Sequence, residues 1–207
     1  MRSDLENLIY RIKRLEQELL QELQKKQEEF YYTIDQKKVH FQREVKERHR
    51  LLVWKLRRYL LDASPFNLLT APIIWVGLFP ALFMDLFVTT FQAICFPIYQ
   101  IPKVEREKFI IIDRHALAYL NIIEKTNCVY CGYFSGLIAY TQEVASRTEQ
   151  YWCPIKHARR MQTIHNRYKY FFDYGDAEAY RKELEKVRRA FDDLDNETNN
   201  NKALGNT

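Results

Sequence analysis

The sequence predicts an all-α protein made of a long N-terminal coiled-coil-like helix, a membrane hairpin and a C-terminal helical module with a metal site. Gly and Pro are scarce, with 5 and 6 copies in 207 residues, and the flanks are rich in helix-forming Glu, Lys, Arg, Gln and Leu. The stretch from Phe66 to Gln100 contains a single formal charge, Asp85. Three of the four cysteines follow this stretch in the chain, together with a histidine.

Neither the composition nor any motif indicates nucleic-acid binding or catalysis. The formal net charge of +5 is modest for 207 residues. There is no glycine-rich phosphate loop, and no set of nucleophile, base and acid can be recognised. The sequence therefore favours a binding or structural protein over an enzyme, and nucleic acid is not expected among its partners.

Residues 1–63 are predicted to form an amphipathic helical arm, as one helix or two in series. Leu5, Leu8, Ile12, Leu15 and Leu19 alternate spacings of three and four, which places them in one narrow seam. A narrow apolar seam is typical of a coiled coil, so we expect self-association or a helical protein partner through this Leu5–Leu19 seam. The alternative is a single solvated helix.

Residues 64–102 are predicted to be a membrane hairpin. A helix crosses a bilayer with about 20 residues, so this stretch is too long for one straight crossing and barely long enough for two. The hairpin would have arms at Phe66–Met84 and Leu86–Gln100. The alternatives are a single span with an interfacial tail, and a hairpin buried in a soluble protein.

Asp85 is a candidate functional residue within this stretch. A carboxylate inside a membrane is by default an ion or proton site. Because Asp85 lies near the middle of the stretch, it could also form the tip of the hairpin at the far headgroups. We favour the hairpin tip.

Basic residues flank the apolar stretch on both sides. Such flanks prefer the cytoplasm, and an even number of crossings or a re-entrant loop keeps both flanks there. We therefore expect a membrane protein in contact with lipid, with its termini and its Cys/His residues in the cytoplasm. The basic residues are Arg43, Lys46, Arg48, Arg50, Lys55, Arg57 and Arg58 before the stretch, and Lys103, Arg106, Lys108 and Arg114 after it.

Residues 103–195 are predicted to form a helical module. We expect a helix from about Asp113 to Lys125, a second from Phe134 to Trp152, and one or two more between His157 and Phe191. Residues 196–207 are polar and are expected to be a disordered tail.

Cys128, Cys131, Cys153 and His157 form the pattern C-x2-C-x21-C-x3-H. A CxxC pair in a turn can direct two thiolates at one ion, and residues four apart on a helix share a face. Three thiolates and one imidazole suit zinc, which would close the coordination sphere and act as a structural brace. A [2Fe-2S] cluster would use the same ligand types, and the further alternative is small buried cysteines beside a surface histidine.

The run from Asn127 to His157 contains the blocks CVYCGYFSGLIAY and WCPIKH. It resembles uncharacterised bacterial inner-membrane proteins that carry similar CxxC and CPxxH blocks. The resemblance covers about half of the chain. It implies that the cysteines act together inside the cell, and it brings no activity.

These observations predict a membrane-anchored scaffold or adaptor with a structural zinc site. Two other classes of function stay open at this point. One is a membrane-surface redox protein with an iron-sulfur centre, and the other is an oligomeric ion- or proton-conducting protein that uses Asp85.

Overall fold

The computed structural model describes residues 2–30, 32–35 and 38–194 and is mostly helical, which confirms the predicted class. The predicted tail lies outside the described residues. The elements are α1 (Arg2–Glu29), β1 (Tyr32–Asp35), β2 (Lys38–Phe41), α2 (Arg43–Leu51), α3 (Leu56–Asp62), α4 (Pro65–Val76), α5 (Leu78–Tyr99), α6 (Ile122–Trp152) and α7 (Ala177–Arg188). Short 3-10 turns cover Arg106–Lys108, Arg114–Ala116 and Asn166–Tyr170.

The chain divides into two compact units. The first contains residues 1–63 and 113–129, and the second contains residues 64–112 and 130–207.

In the first unit, an antiparallel β-hairpin lies within residues 1–63, which were predicted to form one helix or two in series. Tyr32 pairs with Phe41 and Ile34 pairs with Val39. These residues alternate with polar ones, and β-branched and aromatic side chains favour strands. The Tyr32 and Phe41 rings lie 5.7 Å apart. The prediction of one helix or two in series was wrong over these residues, because their alternation with a period of two lies within a helix-forming composition.

The helix predicted to start near Asp113 begins instead at Ile122. A reciprocal capping box sets this start: the backbone N–H of Asn121 donates to Glu124 Oε2 at 2.8 Å, and the N–H of Glu124 donates to Asn121 Oδ1 at 3.0 Å. The helix then continues without interruption to Trp152. The predicted break after Lys125 is therefore absent.

In the second unit, α5 is helical through Asp85, so the predicted hairpin tip at this residue is absent. The division between α4 and α5 lies at Gly77, which has right-handed helical backbone angles. Met84 and Leu86 beside Asp85 are good helix formers, and no glycine or proline adjoins Asp85 to reverse the chain.

The core of the second unit lies between α5 and α6. One stripe of α5 is buried against Leu137, Tyr140 and Val144 of α6. Residues 101–112 run back alongside these helices, and the absent side chain of Gly136 makes room for them. A Cβ at Gly136 would lie 2.6 Å from the carbonyl oxygen of Phe109. The buried residues of the α5 stripe are Ala81, Val88, Gln92 and Phe96.

The C-terminal part of the second unit is held by a buried arginine. Arg167 is 1% exposed, and its Nη1 donates to both carboxylate oxygens of Asp193, at 2.9 and 2.7 Å. Its Nε donates to Gln150 of α6 at 2.5 Å, and its Nη2 donates to the carbonyl of Ala190 at 2.6 Å. This network ties the segment after α7 to α6.

Candidate functional site

The largest unusual feature of the second unit is an apolar face that the rest of the protein leaves uncovered. On α5, opposite the buried stripe, each apolar side chain of this face is more than half exposed. Monomeric soluble proteins rarely expose a continuous apolar patch of this kind. We call this surface the α5 apolar face; it consists of Phe79, Phe83, Leu86, Phe87, Ile94 and Ile98.

The uncovered surface continues onto α4, where Phe66, Leu69 and Ile73 are each more than 70% exposed. Among the described residues, the stretch Pro65–Tyr99 is the one long and apolar enough to cross a membrane by length and composition. Only 11% of its most apolar 18-residue window is buried. A core helix of a soluble protein also passes this test of length and composition but is mostly buried, which this stretch is not.

Asp85 is held by an ion pair on the covered side of α5. Arg106 donates from Nε to Oδ1 at 3.0 Å and from Nη2 to Oδ2 at 2.6 Å. The hydroxyl of Tyr133 on α6 donates to Oδ2 at 2.9 Å, and Thr89 donates to Oδ1 at 3.3 Å. The Asp85 side chain is only 14% exposed. This carboxylate therefore joins α5, the returning segment and α6.

The partners of Asp85 keep their protons at neutral pH. The hydrogen bond to Asp85 raises the pKa of Arg106, so the guanidinium stays charged. Burial, followed by the hydrogen bond to Asp85, raises the pKa of Tyr133, so its hydroxyl remains a donor. The cluster forms a closed set of donors and acceptors, and this geometry favours a structural role for Asp85.

A second polar residue on the covered side of α5, Gln92, is fully engaged. Its Nε2 donates to the carbonyl of Val104 at 3.1 Å and to the Tyr140 hydroxyl at 2.8 Å. Its Oε1 accepts from the backbone N–H of Val104 at 2.7 Å. Gln92 thus pairs with both the backbone N–H and the carbonyl oxygen of Val104, which lies outside any helix or strand.

Charged residues lie beside this segment. Arg147 of α6 forms an ion pair with Glu143 at 2.7 Å and donates to the carbonyl oxygens of Pro102 and Lys103 at 2.8 and 3.3 Å. Arg147 thus holds the start of the returning segment, directly after the end of α5, against α6.

The structure does not bring the four predicted metal ligands together. Cys128 and Cys131 lie one turn apart on α6, where the sequence predicted a turn between helices. Cys153 directly follows the last residue of α6. Cys131 and Cys153 are thus separated by 22 positions, or about 33 Å of helical rise. A tetrahedral zinc ion, with bonds of about 2.3 Å to sulfur, does not bridge that distance.

His157 also lies outside the predicted helical setting. Pro154 follows the end of α6, so Cys153 and His157 do not share a helix face. The backbone N–H of His157 donates to the Tyr168 hydroxyl, and the nearby His165 lies 3.0 Å from Glu149. Within the described ranges, no group of three or more His, Cys, Asp or Glu side chains is arranged to hold a metal. Zinc, or a [2Fe-2S] cluster in its place, stays a prediction.

Sequence reasoning identified Asp85 but missed its partners Arg106 and Tyr133, and it missed Gln92. An uncharged amide within an apolar helix is a recognisable signal, because a polar group in such a position needs a partner. No comparable signal marks Arg106, which is one basic residue among several in the flank.

The comparisons with known proteins add no family and no activity. The chain matches no protein-family model, no curated protein and no solved structure.

Proposed function

We propose that this chain is a non-enzymatic scaffold or adaptor anchored to a membrane. In this proposal α4 and α5 contact lipid, and α1 associates with a second copy or with a helical partner. A bacterial inner membrane, with the Cys/His residues on the cytoplasmic side, is part of the proposal and rests on the basic flanks.

The exposure of Pro65–Tyr99 is the observation that carries the anchor. This stretch is the most apolar part of the chain, and little of it is buried. Transfer of apolar surface from water into a membrane stabilises by roughly 25 cal/mol per Å². The many large side chains that the fold leaves in solvent therefore favour lipid as their environment.

The exposure of α1 supports the scaffold function. Within the Leu5–Leu19 seam, Leu15 and Leu19 are 62% and 60% exposed. Ion pairs such as Arg14 with Glu18 lie on the exposed surface of the same helix. A long helix with exposed leucines at these positions and charged side chains beside them is suited to pairing with another helix.

Flotation with liposomes tests the anchor. We expect the purified protein to float with vesicles, and a Phe83→Asp, Phe87→Asp variant to lose at least about tenfold in partitioning, because each Phe contributes about 1.5–3 kcal/mol of burial. Ile164→Asp is the matched control, since Ile164 is also 62% exposed but lies outside α4 and α5. A wild-type chain that stays in solution without detergent and does not float would contradict the anchor.

Sedimentation equilibrium of the detergent-solubilised protein tests the scaffold arm. We expect Leu15→Glu with Leu19→Glu to lower the mass of the assembly. Leu20→Glu is the matched control, because Leu20 is 64% exposed and lies beside the seam. If the Leu15→Glu, Leu19→Glu variant keeps the mass of the wild-type assembly and still binds any helical partner, the association through α1 is contradicted.

The metal is tested by elemental analysis of the purified protein beside a Cys128→Ser variant. Zinc lost in the variant would support the brace, and a brown protein with visible absorbance would support the redox alternative. Equal metal content in both proteins would remove Cys128 from any site.

A further inference from the structure

We infer that α5 lies parallel to the membrane surface, with the α5 apolar face immersed in one leaflet and the opposite, protein-covered side turned away from the bilayer. This inference rests on the proposed function, because it states how the anchor contacts lipid. It replaces a membrane crossing with attachment to a single leaflet.

The two sides of α5 differ over its whole length. The helix has 22 residues and is about 33 Å long. On one side, exposed apolar residues run from Phe79 near its start to Ile98 near its end. On the other side, protein covers the helix from Ala81 to Phe96. The helix therefore offers one continuous apolar strip to its surroundings and has the rest of the second unit on its other side.

A crossing would place buried polar groups inside hydrocarbon. Asp85 lies about 10 Å along the helix from Leu78, and Gln92 lies about 10 Å from Tyr99. In a hydrocarbon core about 30 Å thick, both positions would be well below the headgroups. Arg106, which pairs with Asp85 and has a 41% exposed side chain, would be carried to the same depth. Charged groups facing lipid at that depth are costly.

The returning segment excludes a crossing for a second reason. The returning segment lies alongside α5, since Val104 is hydrogen-bonded to Gln92 and Arg106 to Asp85. Its charged residues Lys103, Glu105 and Lys108 are exposed, and charged groups that face hydrocarbon are costly. An exposed ion pair between Lys108 and Glu105 lies in the same return. These groups are compatible with water or headgroups beside α5 and incompatible with acyl chains.

Lipid fits the α5 apolar face better than a second protein does. Asp85, the single formal charge between Pro65 and Tyr99, lies on the covered side. The exposed strip therefore carries no charged side chain of its own. Exposed apolar side chains continue along α4, and the exposed Lys103 of the returning segment complements anionic headgroups.

Spin-label depth measurements test the orientation. The full chain, with its four cysteines replaced by serine, is labelled singly at positions 79, 83, 87, 94 and 98 and bound to sealed phosphatidylcholine–phosphatidylglycerol vesicles. We expect one shared depth of about 5–10 Å below the headgroups at all five positions. A depth that passes through a maximum of about 15 Å at mid-helix, or that changes steadily along the helix, would show a crossing or a hairpin and overturn the inference.

The unmodified protein gives a second measurement that needs no cysteine replacement. When the chain is added outside sealed vesicles, we expect external trypsin to cleave both before α4, near Arg58, and after α5, at Lys103 or Lys108, as it does in detergent. Protection of one side on vesicles, with cleavage of both in detergent, would overturn the inference while leaving the anchor intact. Failure to bind vesicles would overturn the anchor and the orientation together.

Discussion

The ion pair between Asp85 and Arg106 supplies the sharpest test of the role of Asp85. The perturbation is a double-mutant cycle of Asp85→Asn, Arg106→Met and the double variant. Asparagine keeps one oxygen to accept from Tyr133 or Arg106 but removes the charge. If Asp85 is structural, each single variant should destabilise the second unit and the two effects should not add.

The expected magnitude follows from the geometry and the exposure. Two charge-assisted hydrogen bonds, at 3.0 and 2.6 Å, would each contribute about 1.5–3 kcal/mol if fully buried. Arg106 is 41% exposed, however, and water replaces part of the lost interaction. We therefore expect about 1–2 kcal/mol for each single variant and a coupling energy of about 1 kcal/mol.

The assay is denaturant unfolding of the micelle-bound protein, followed by circular dichroism and tryptophan fluorescence. Thr89→Val is the matched control, because its exposed hydrogen bond to Asp85 is long, at 3.3 Å, and should contribute less than about 0.5 kcal/mol. A coupling below about 0.3 kcal/mol would refute the structural assignment. Loss of ion flux in Asp85→Asn, with assembly and stability intact, would instead support conduction.

Three further predictions concern the second unit. Arg167→Met should destabilise it by about 3–5 kcal/mol in denaturant unfolding, because it removes the ion pair with Asp193 and the hydrogen bonds to Gln150 and Ala190. The control Arg189→Met should cost less than about 0.5 kcal/mol because Arg189 is 56% exposed; equal effects would contradict the network. Gly136→Ala should lower the melting temperature more than Gly132→Ala. A Cβ at Gly136 would lie 2.6 Å from the Phe109 carbonyl oxygen, whereas a Cβ at Gly132 would lie 3.2 Å from the Ile111 carbonyl oxygen. The reverse order of melting temperatures would contradict the close approach of Phe109 to Gly136. Burial by itself raises the pKa of Asp193, but its hydrogen bond and charge attraction to Arg167 outweigh burial and lower that pKa overall. Stability from this pair should therefore be complete above about pH 4 and should be lost as the pH falls through the lower folded pKa. When the free energy of unfolding is measured against pH, Asp193→Asn should reduce this loss of stability in acid.

The sequence alone was sufficient for properties that depend on local composition. Helix-forming flanks and the scarcity of Gly and Pro predicted the helical class, and the near absence of charge between Phe66 and Gln100 located the exposed apolar helices. Side-chain preferences and periodicity act over a few residues, so a window of the chain contains the information. Local signals also had limits: the hairpin at Tyr32–Phe41 was missed, although its alternation was present in the sequence.

Tertiary structure decided which distant residues meet. Asp85 contacts Arg106 and Tyr133, which lie 21 and 48 positions further along the chain, and no spacing in the sequence predicts those pairings. In the folded chain, α6 starts at the Asn121–Glu124 cap and runs as one helix through Cys128 and Cys131. It therefore separates these two thiols from Cys153, with which the sequence pattern had grouped them. Sequence establishes which segments are apolar, whereas only the packing of α5 against α6 and the returning segment determines which side of α5 stays uncovered.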